Sequence, residues 1–202
     1  MARKTKAQAQ ETRSGILDAA EREFQQRGVS LTTLQDIAQA AGVTRGAVYW
    51  HFADKADLFN AMFERAVLPM EAAALKQDSP ESELPLQGLQ RRVQLLFERA
   101  VGDDRLRRVL EIVVHRVEHV PALSAVHERI LGARNAHLDF IESTLARAGV
   151  PAAGRRERAI GLHAIVDGLL QVWMLDQAAF DLPAVGRLAV QTYILGLPVA
   201  AA

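Results

Sequence analysis

A glycine placed between two very short, separately capped helical segments restricts this chain more than any other feature. In residues 32–55, Thr33 is positioned to cap a first segment, with Asp36 three positions on as a short-armed variant of a capping box. Ile37, Ala40 and Ala41 then recur at helical spacing. Gly42 supplies the left-handed stop that a Cβ resists, and Val43 follows as an apolar elbow. Thr44 caps a second segment over 45–52, and Asp54 caps a third. Two capped helices joined by a glycine turn make a helix-turn-helix.

The second of these helices suits the reading of DNA better than it suits packing. Eight residues at about 1.5 Å each span about 12 Å, the width of a major groove. Arg45 is followed by Gly46 and Ala47, so a guanidinium stands beside residues too small to hold the backbone away from base edges. Arginine bonds both acceptors of guanine at once. Val48 is expected to point into the core, whereas Tyr49 and His51 carry hydrogen-bonding groups at a radius suited to phosphates. Lys55, opening the next helix, adds a cation near the same backbone. For Trp50 the expectation is ordinary core packing.

Charge gives only weak support. Lysine plus arginine and aspartate plus glutamate are equal at 24 each, so bulk basicity carries no argument. Through Lys55 there are eight basic and six acidic residues, and Arg3, Lys4 and Lys6 precede any acid. With no cysteine, disulfides, thiolate zinc sites and cysteine nucleophiles are excluded. The start lacks the apolar run of a secretion signal, and the most apolar stretch, 164–175, is short and interrupted by Asp167 and Gln171. A cytoplasmic protein with no membrane contact is expected.

Everything else reads as helix. One amphipathic segment starts near Gln8 and stops at Gly28, with Ile16, Leu17, Ala19, Ala20 and Phe24 on one face. Another runs from Asp54 through Leu58, Phe59, Met62, Phe63 and Ala66 until Pro69 kinks or ends it, and 76–85 reads as a loop. Further helices are expected over 86–101, from Asp103 or Asp104 to about His119, over 122–148 after Pro121, over 155–177 and over 183–195. No alternating strand pattern or internal repeat occurs. The fold class is all-α: a helix-turn-helix domain over 1–55, then a helical bundle over 56–202. The last two helices, rich in residues such as Ile160, Val172, Leu175, Leu188 and Tyr193, are too apolar for the outside of a monomer. A two-fold dimer through them would place two readers on half-sites about 34 Å apart.

These residues resemble the tetracycline-repressor (TetR) family of bacterial transcriptional regulators. The signature runs from Gln10-Glu11-Thr12-Arg13 through Thr32-Thr33, Ile37-Ala38, Ala41-Gly42-Val43 and Gly46 to Tyr49-Trp50-His51-Phe52 and Lys55. The resemblance implies base reading by Arg45, Gly46 and Ala47, with Gln35 assisting from the preceding helix, and phosphate contacts by Thr33, Thr44, Tyr49, His51 and Lys55. It also implies palindromic operator DNA, a homodimer, no cofactor, and a ligand-sensing C-terminal bundle. Within the family, residues 4–13, 42–47, 106–112 and 166–169 are similar to repressors of multidrug efflux pumps, whose effectors are apolar or amphipathic small molecules. Leu96, Leu110, Val114, His163, Val166 and Leu170 are the corresponding pocket candidates, and Pro69 is a candidate hinge between bundle and reader.

Two polar constellations lie outside that signature. His115 and His119, four apart and accompanied by Glu111 and Glu118, have the spacing of two metal ligands on a helix and raise a metal-dependent enzyme as a rival reading. Histidines so spaced without a firm third ligand are more often surface or pocket residues, so neither metal nor catalytic residue is assigned. His163, Asp167 and Gln171 form a stripe that fits a pocket or a dimer seam equally well, or is simply that helix's wetter edge, and Gly168 beside them favours close helix approach. A regulator that binds DNA without any effector is the remaining alternative.

Overall fold

The computed structural model describes residues 6–76, 84–118 and 120–199, and among these every regular element is helical. In chain order they are α1 (Lys6–Arg27), α2 (Leu34–Ala40), α3 (Arg45–His51), α4 (Lys55–Lys76), α5 (Pro85–Gly102), α6 (Asp104–His115), a 3₁₀ turn (Pro121–Leu123), α7 (Ser124–Arg147), α8 (Arg155–Leu175) and α9 (Leu182–Leu195). Arg3, Lys4, His119 and most of the 76–85 stretch lie outside the described residues.

Three expectations change. Helix α4 does not end at Pro69 but continues to Lys76. A proline removes one backbone hydrogen bond, whereas the Met70-Glu71-Ala72-Ala73-Ala74-Leu75-Lys76 run that follows consists of strong helix formers. Helix α6 stops at His115, the Arg116 N–H making a last bond of 2.9 Å to the Ile112 carbonyl before the chain departs. The stretch 164–175, expected to be too short to span a membrane, belongs to helix α8, which as a whole is long and apolar enough by length and composition. His163, Asp167 and Gln171 nonetheless lie along it, and it packs against α9.

By compactness the chain divides into two units, residues 1–68 with 105–130, and residues 69–104 with 131–202. In the first, α1, α2 and α3 pack on one another around Ile16, Leu17, Ala20, Phe24, Ile37, Ala38, Val48 and Phe52, all buried. Leu58, Phe59 and Met62 of α4 and Leu106, Val109 and Ile112 of α6 are buried as well. Helix α6 lies alongside α1 through polar pairs whose partners advance together. Arg105 bonds Asp18 at 3.0 Å, Arg108 bonds Glu21 at 3.4 Å, Gln25 donates to Glu111 at 2.7 Å, and the Val29 N–H donates to the Arg116 carbonyl at 2.9 Å. Because both numbers rise in step, the two helices run parallel. At the centre is Glu21, 1% exposed, which also pairs with Arg65 of α4. Nothing in its sequence surroundings marks Glu21 as buried.

The second unit is built on α9, which packs against both α5 and α8. Gly186 of α9 faces the Phe97 ring so closely that a Cβ there would land on it. The Tyr193 hydroxyl donates to the Arg158 carbonyl at 2.8 Å, and Arg156 reaches Asp139 and Glu142 at 2.7 and 3.1 Å.

Candidate nucleic-acid interface

The ends of α2 and α3 follow from local chemistry. Thr33 Oγ1 accepts from the Asp36 N–H at 3.1 Å and the Thr33 N–H donates to Asp36 Oδ2 at 2.8 Å, closing a reciprocal capping box. The Thr33 hydroxyl, donating to Asp36 Oδ2 at 2.7 Å, then the Thr33 N–H, and after them Arg27, hold the Asp36 carboxyl below its ordinary value. Gly42 sits at φ +66° with nothing within 4 Å of where a Cβ would be, so conformation rather than crowding calls for glycine. Thr44 Oγ1 accepts from the Ala47 N–H at 3.2 Å and starts α3. Asp54 caps α4 through the Asp57 N–H at 2.8 Å, with the Asp57 carboxylate accepting from the Ala53 N–H at 2.9 Å.

Helix α3 buries only Val48, as its spacing predicts. Thr44, Arg45, Gly46, Tyr49 and Trp50 are exposed, while Ala47 and His51 are half-buried. Arg45 Nη2 donates to the Tyr49 hydroxyl at 3.1 Å, and its guanidinium lies 5.3 Å from the centre of the Tyr49 ring. The arginine is thus held extended along the outer face of α3. Gln35 is exposed on α2. Between the two helices is an open recess of about 570 Å³ lined by Thr32, Thr33, Leu34, Gln35, Arg45, Tyr49, Ala53, Asp54 and Lys55. Thr33, Gln35, Arg45, Tyr49 and Lys55, named from sequence, are thereby brought together. Thr44, Gly46, Ala47 and His51 lie outside that lining.

One reading of this region is corrected, and one side chain makes bonds the sequence did not indicate. Trp50 is not core but 72% exposed, with its ring edge-on to His51 at 4.5 Å. A seven-residue helix has one inward face, and Val48 occupies it. Lys55, expected at a phosphate, turns inward. Its Nζ donates to the carbonyls of Val29, Ser30 and Thr32 at 2.7, 3.1 and 3.1 Å.

The effector-pocket candidates are divided between the two units. Leu110 and Val114 belong to the first unit, and Leu96, His163, Val166 and Leu170 to the second. Val166 and Leu170 are buried, Val114 is exposed, and none of the six lines the groove of about 310 Å³ between α5 and α9. That groove is bordered by Gln90, Arg91, Gln94, Arg187 and Gln191. Helical periodicity marks a side chain as inward but not whether packed atoms or a void await it. His163 sits 3.3 Å from Asp167 and its ring 5.3 Å from that of His137. Burial, then His163 and Arg92, push His137 down to about 4. Burial raises the Asp167 carboxyl against the opposing charges of His163 and Arg134. Glu111 and Glu118, raised as companions of His115, are engaged by Gln25 and by the Ser30 N–H at 2.7 and 2.9 Å.

Comparison with known proteins agrees with this geometry. Residues 16–62 match the family model for bacterial regulatory proteins of the tetR family, and residues 84–197 match that for the C-terminal region of MAATS-type transcriptional repressors. The chain is 38% identical over 192 residues to the HTH-type transcriptional regulator AcrR of Shigella flexneri, covering 93% of this chain and 89% of that one. It is 36% identical over 187 residues to the regulator TtgR of Pseudomonas putida, covering 90% and 89%. Among solved structures, NalD, the secondary repressor of the MexAB-OprM multidrug efflux pump in Pseudomonas aeruginosa, superposes with a TM-score of 0.81 at 34% identity, covering 93% and 97%. A complex of SmeT with triclosan superposes with a TM-score of 0.80 at 34% identity, covering 93% and 91%.

Proposed function

The chain belongs to the tetR family of bacterial regulatory proteins and is a DNA-binding transcriptional repressor, and from that premise we propose that it is a cytoplasmic homodimer that silences a multidrug efflux operon. An apolar or amphipathic small molecule releases it. The observation that carries the DNA-reading part is the recess between α2 and α3, where an exposed arginine pre-aligned on Tyr49 stands beside Gln35 and the capped start of α2. The relatives' own roles support the efflux assignment. In this reading Arg45, Gly46, Ala47 and Gln35 face bases, while Thr33, Thr44, Tyr49 and His51 face phosphates.

Dimerisation is supported by apolar side chains left uncovered on the last two helices, among them Leu175 at 76%, Leu188 at 67% and Leu195 at 78% exposure. Exposed large apolar side chains on paired helices are what a second copy of the chain buries. Release is a population shift: the effector favours a state in which the two α3 helices no longer stand about 34 Å apart. A tenfold change in operator affinity needs only about 1.4 kcal/mol of differential effector binding. Pro69, where α4 lacks one backbone hydrogen bond, is the proposed flexing point of that helix.

The test is a gel-shift titration of the full-length protein on a duplex from its own upstream region, with and without a panel of cationic and aromatic drugs. Preferential binding that at least one drug weakens is expected. Equal affinity for random duplex removes the repressor reading, and operator binding indifferent to every drug leaves an effector-independent regulator in its place.

A further inference from the structure

The loop between α1 and α2 has neither a helix nor a strand to satisfy its backbone, and an unpaired buried amide is costly. The bonds of residues 28–32 lead to particular partners instead. The Gly28 N–H donates to Phe24 at 2.9 Å, and its carbonyl accepts from the fully buried Thr32 hydroxyl at 2.7 Å. The Val29 N–H reaches the Arg116 carbonyl at 2.9 Å, and the Ser30 N–H reaches Glu118 Oε2 at 2.9 Å. The carbonyls of Val29, Ser30 and Thr32 converge on one ammonium, Lys55 Nζ. An ammonium has three protons, and three carbonyls take them. Gly28, at φ +83°, leaves room for the Glu118 carboxylate, onto which a Cβ would project.

We propose that Lys55 and Glu118 are a pair of positioning residues that clamp the 28–32 loop, Glu118 at the Ser30 amide and Lys55 at three carbonyls, and so seat Thr33, α2 and the reading helix, with Lys55 acting through the loop and not through a phosphate. The pair belongs to segments far apart in sequence, the first turn of α4 and the tail that follows α6. The Thr33 capping box begins one residue beyond the last clamped carbonyl, so a slack loop reaches α2 directly. The charges are consistent with the clamp. Burial lowers the Lys55 ammonium and the Glu118 charge opposes that. Burial also works to raise the Glu118 carboxyl, but bonds from Ser30 and its own backbone, with the Lys55 charge, hold it below the ordinary value.

This inference rests on the operator-binding reading, and its test separates the two. Full-length wild type, Lys55→Met, Lys55→Arg and Glu118→Ala are titrated with the upstream duplex at several salt concentrations. Amide exchange at Val29, Ser30 and residues 34–36 is followed in the free proteins. A phosphate ligand is replaceable by arginine, and its loss lowers the salt slope by about 0.9. A tripod of carbonyls is not served by a planar guanidinium. The clamp predicts that Lys55→Met and Lys55→Arg both lose operator affinity by about tenfold or more, with the wild-type salt slope, the magnitude being that of losing charge-assisted hydrogen bonds. It also predicts that Glu118→Ala, which removes a negative charge, weakens binding and speeds exchange at Ser30. A wild-type-like Lys55→Arg together with a reduced slope for Lys55→Met overturns it, as does unchanged exchange in Glu118→Ala. If wild type itself shows no preference for the upstream duplex, the repressor reading fails, while exchange in the free protein still decides the clamp.

Discussion

Replacing His137 by phenylalanine should flatten the acid side of the stability profile. In the native protein the His137 ring on α7 lies 5.3 Å from that of His163 on α8. Burial, then the charges His163 and Arg92 can carry, depress His137 from 6.5 to about 4. An unfolded imidazole takes up its proton near the ordinary value, so between those limits the unfolded chain binds more protons and stability rises with pH. The contribution is complete above about 6.5 and disappears as pH falls toward about 4. At about 1.4 kcal/mol for each pH unit the whole gap is worth about 3 kcal/mol, of which about 2 kcal/mol is lost between pH 7 and pH 5. Asp167, raised by burial, works with the opposite sign as pH rises through its own range, but it is common to both proteins and cancels in the comparison. Urea unfolding at one fixed protein concentration from pH 5 to pH 8 measures the effect, with equal m-values as the check that the unfolded states match. Phenylalanine adds a packing offset that does not depend on pH, so the slope is the readout. The reasoning is refuted if variant and wild type show the same pH dependence, or if the His137 imidazole titrates near 6.5 by NMR.

Arg45→Ala should weaken operator binding by about 5- to 150-fold, the value of one bidentate base contact. It should leave the unfolding midpoint unchanged, because Arg45 is exposed and its guanidinium rests on Tyr49, itself exposed. Fluorescence anisotropy on operator and random duplexes checks this, and equal losses on both would remove Arg45 as a base reader. Glu21→Ala should cost about 3 kcal/mol, the lower end for removing one partner of a buried ion pair. The lower end applies because Arg65, 18% exposed, loses one carboxylate but keeps Asp18 at 2.8 Å, while Arg105 and Arg108 are 48% and 33% exposed and can turn to water. A fall in Tm of about 6–12 °C corresponds to that loss for a chain of this length. A loss well under 1 kcal/mol would mean that solvent already screens the cluster.

The parts of this protein legible in sequence are those whose cause lies within a few residues. Thr33 with Asp36, Gly42, and Thr44 ahead of Ala47 place the ends of α2 and α3 because a cap or a positive φ acts on its own neighbours. The inward Val48 and the all-helical architecture follow from periodicity for the same reason. Pro69 reads as a kink or an end, and the end is overruled because a local breaker is outweighed by the helix-forming run after it.

Side chains whose surroundings come from elsewhere in the chain could not be read that way. Trp50 has core composition and solvent surroundings, Lys55 has the place of a phosphate ligand and the bonds of a loop clamp, and Glu21 looks like a surface acid yet is buried against Arg65, Arg105 and Arg108. The partners of Glu21 are 44 and 87 residues away in the hydrogen-bonded pairs with Arg65 and Arg108. By itself the sequence determined the helix-turn-helix, the place of Arg45 at the start of α3 and the apolar character of α8 and α9. Only the tertiary structure decided that α6 runs parallel to α1, that Glu21 is enclosed, and that the Lys55 ammonium is consumed within the protein. Caps and turns are set by bonds a few residues long, whereas the partner of a long charged side chain depends on which distant segment folding brings opposite it.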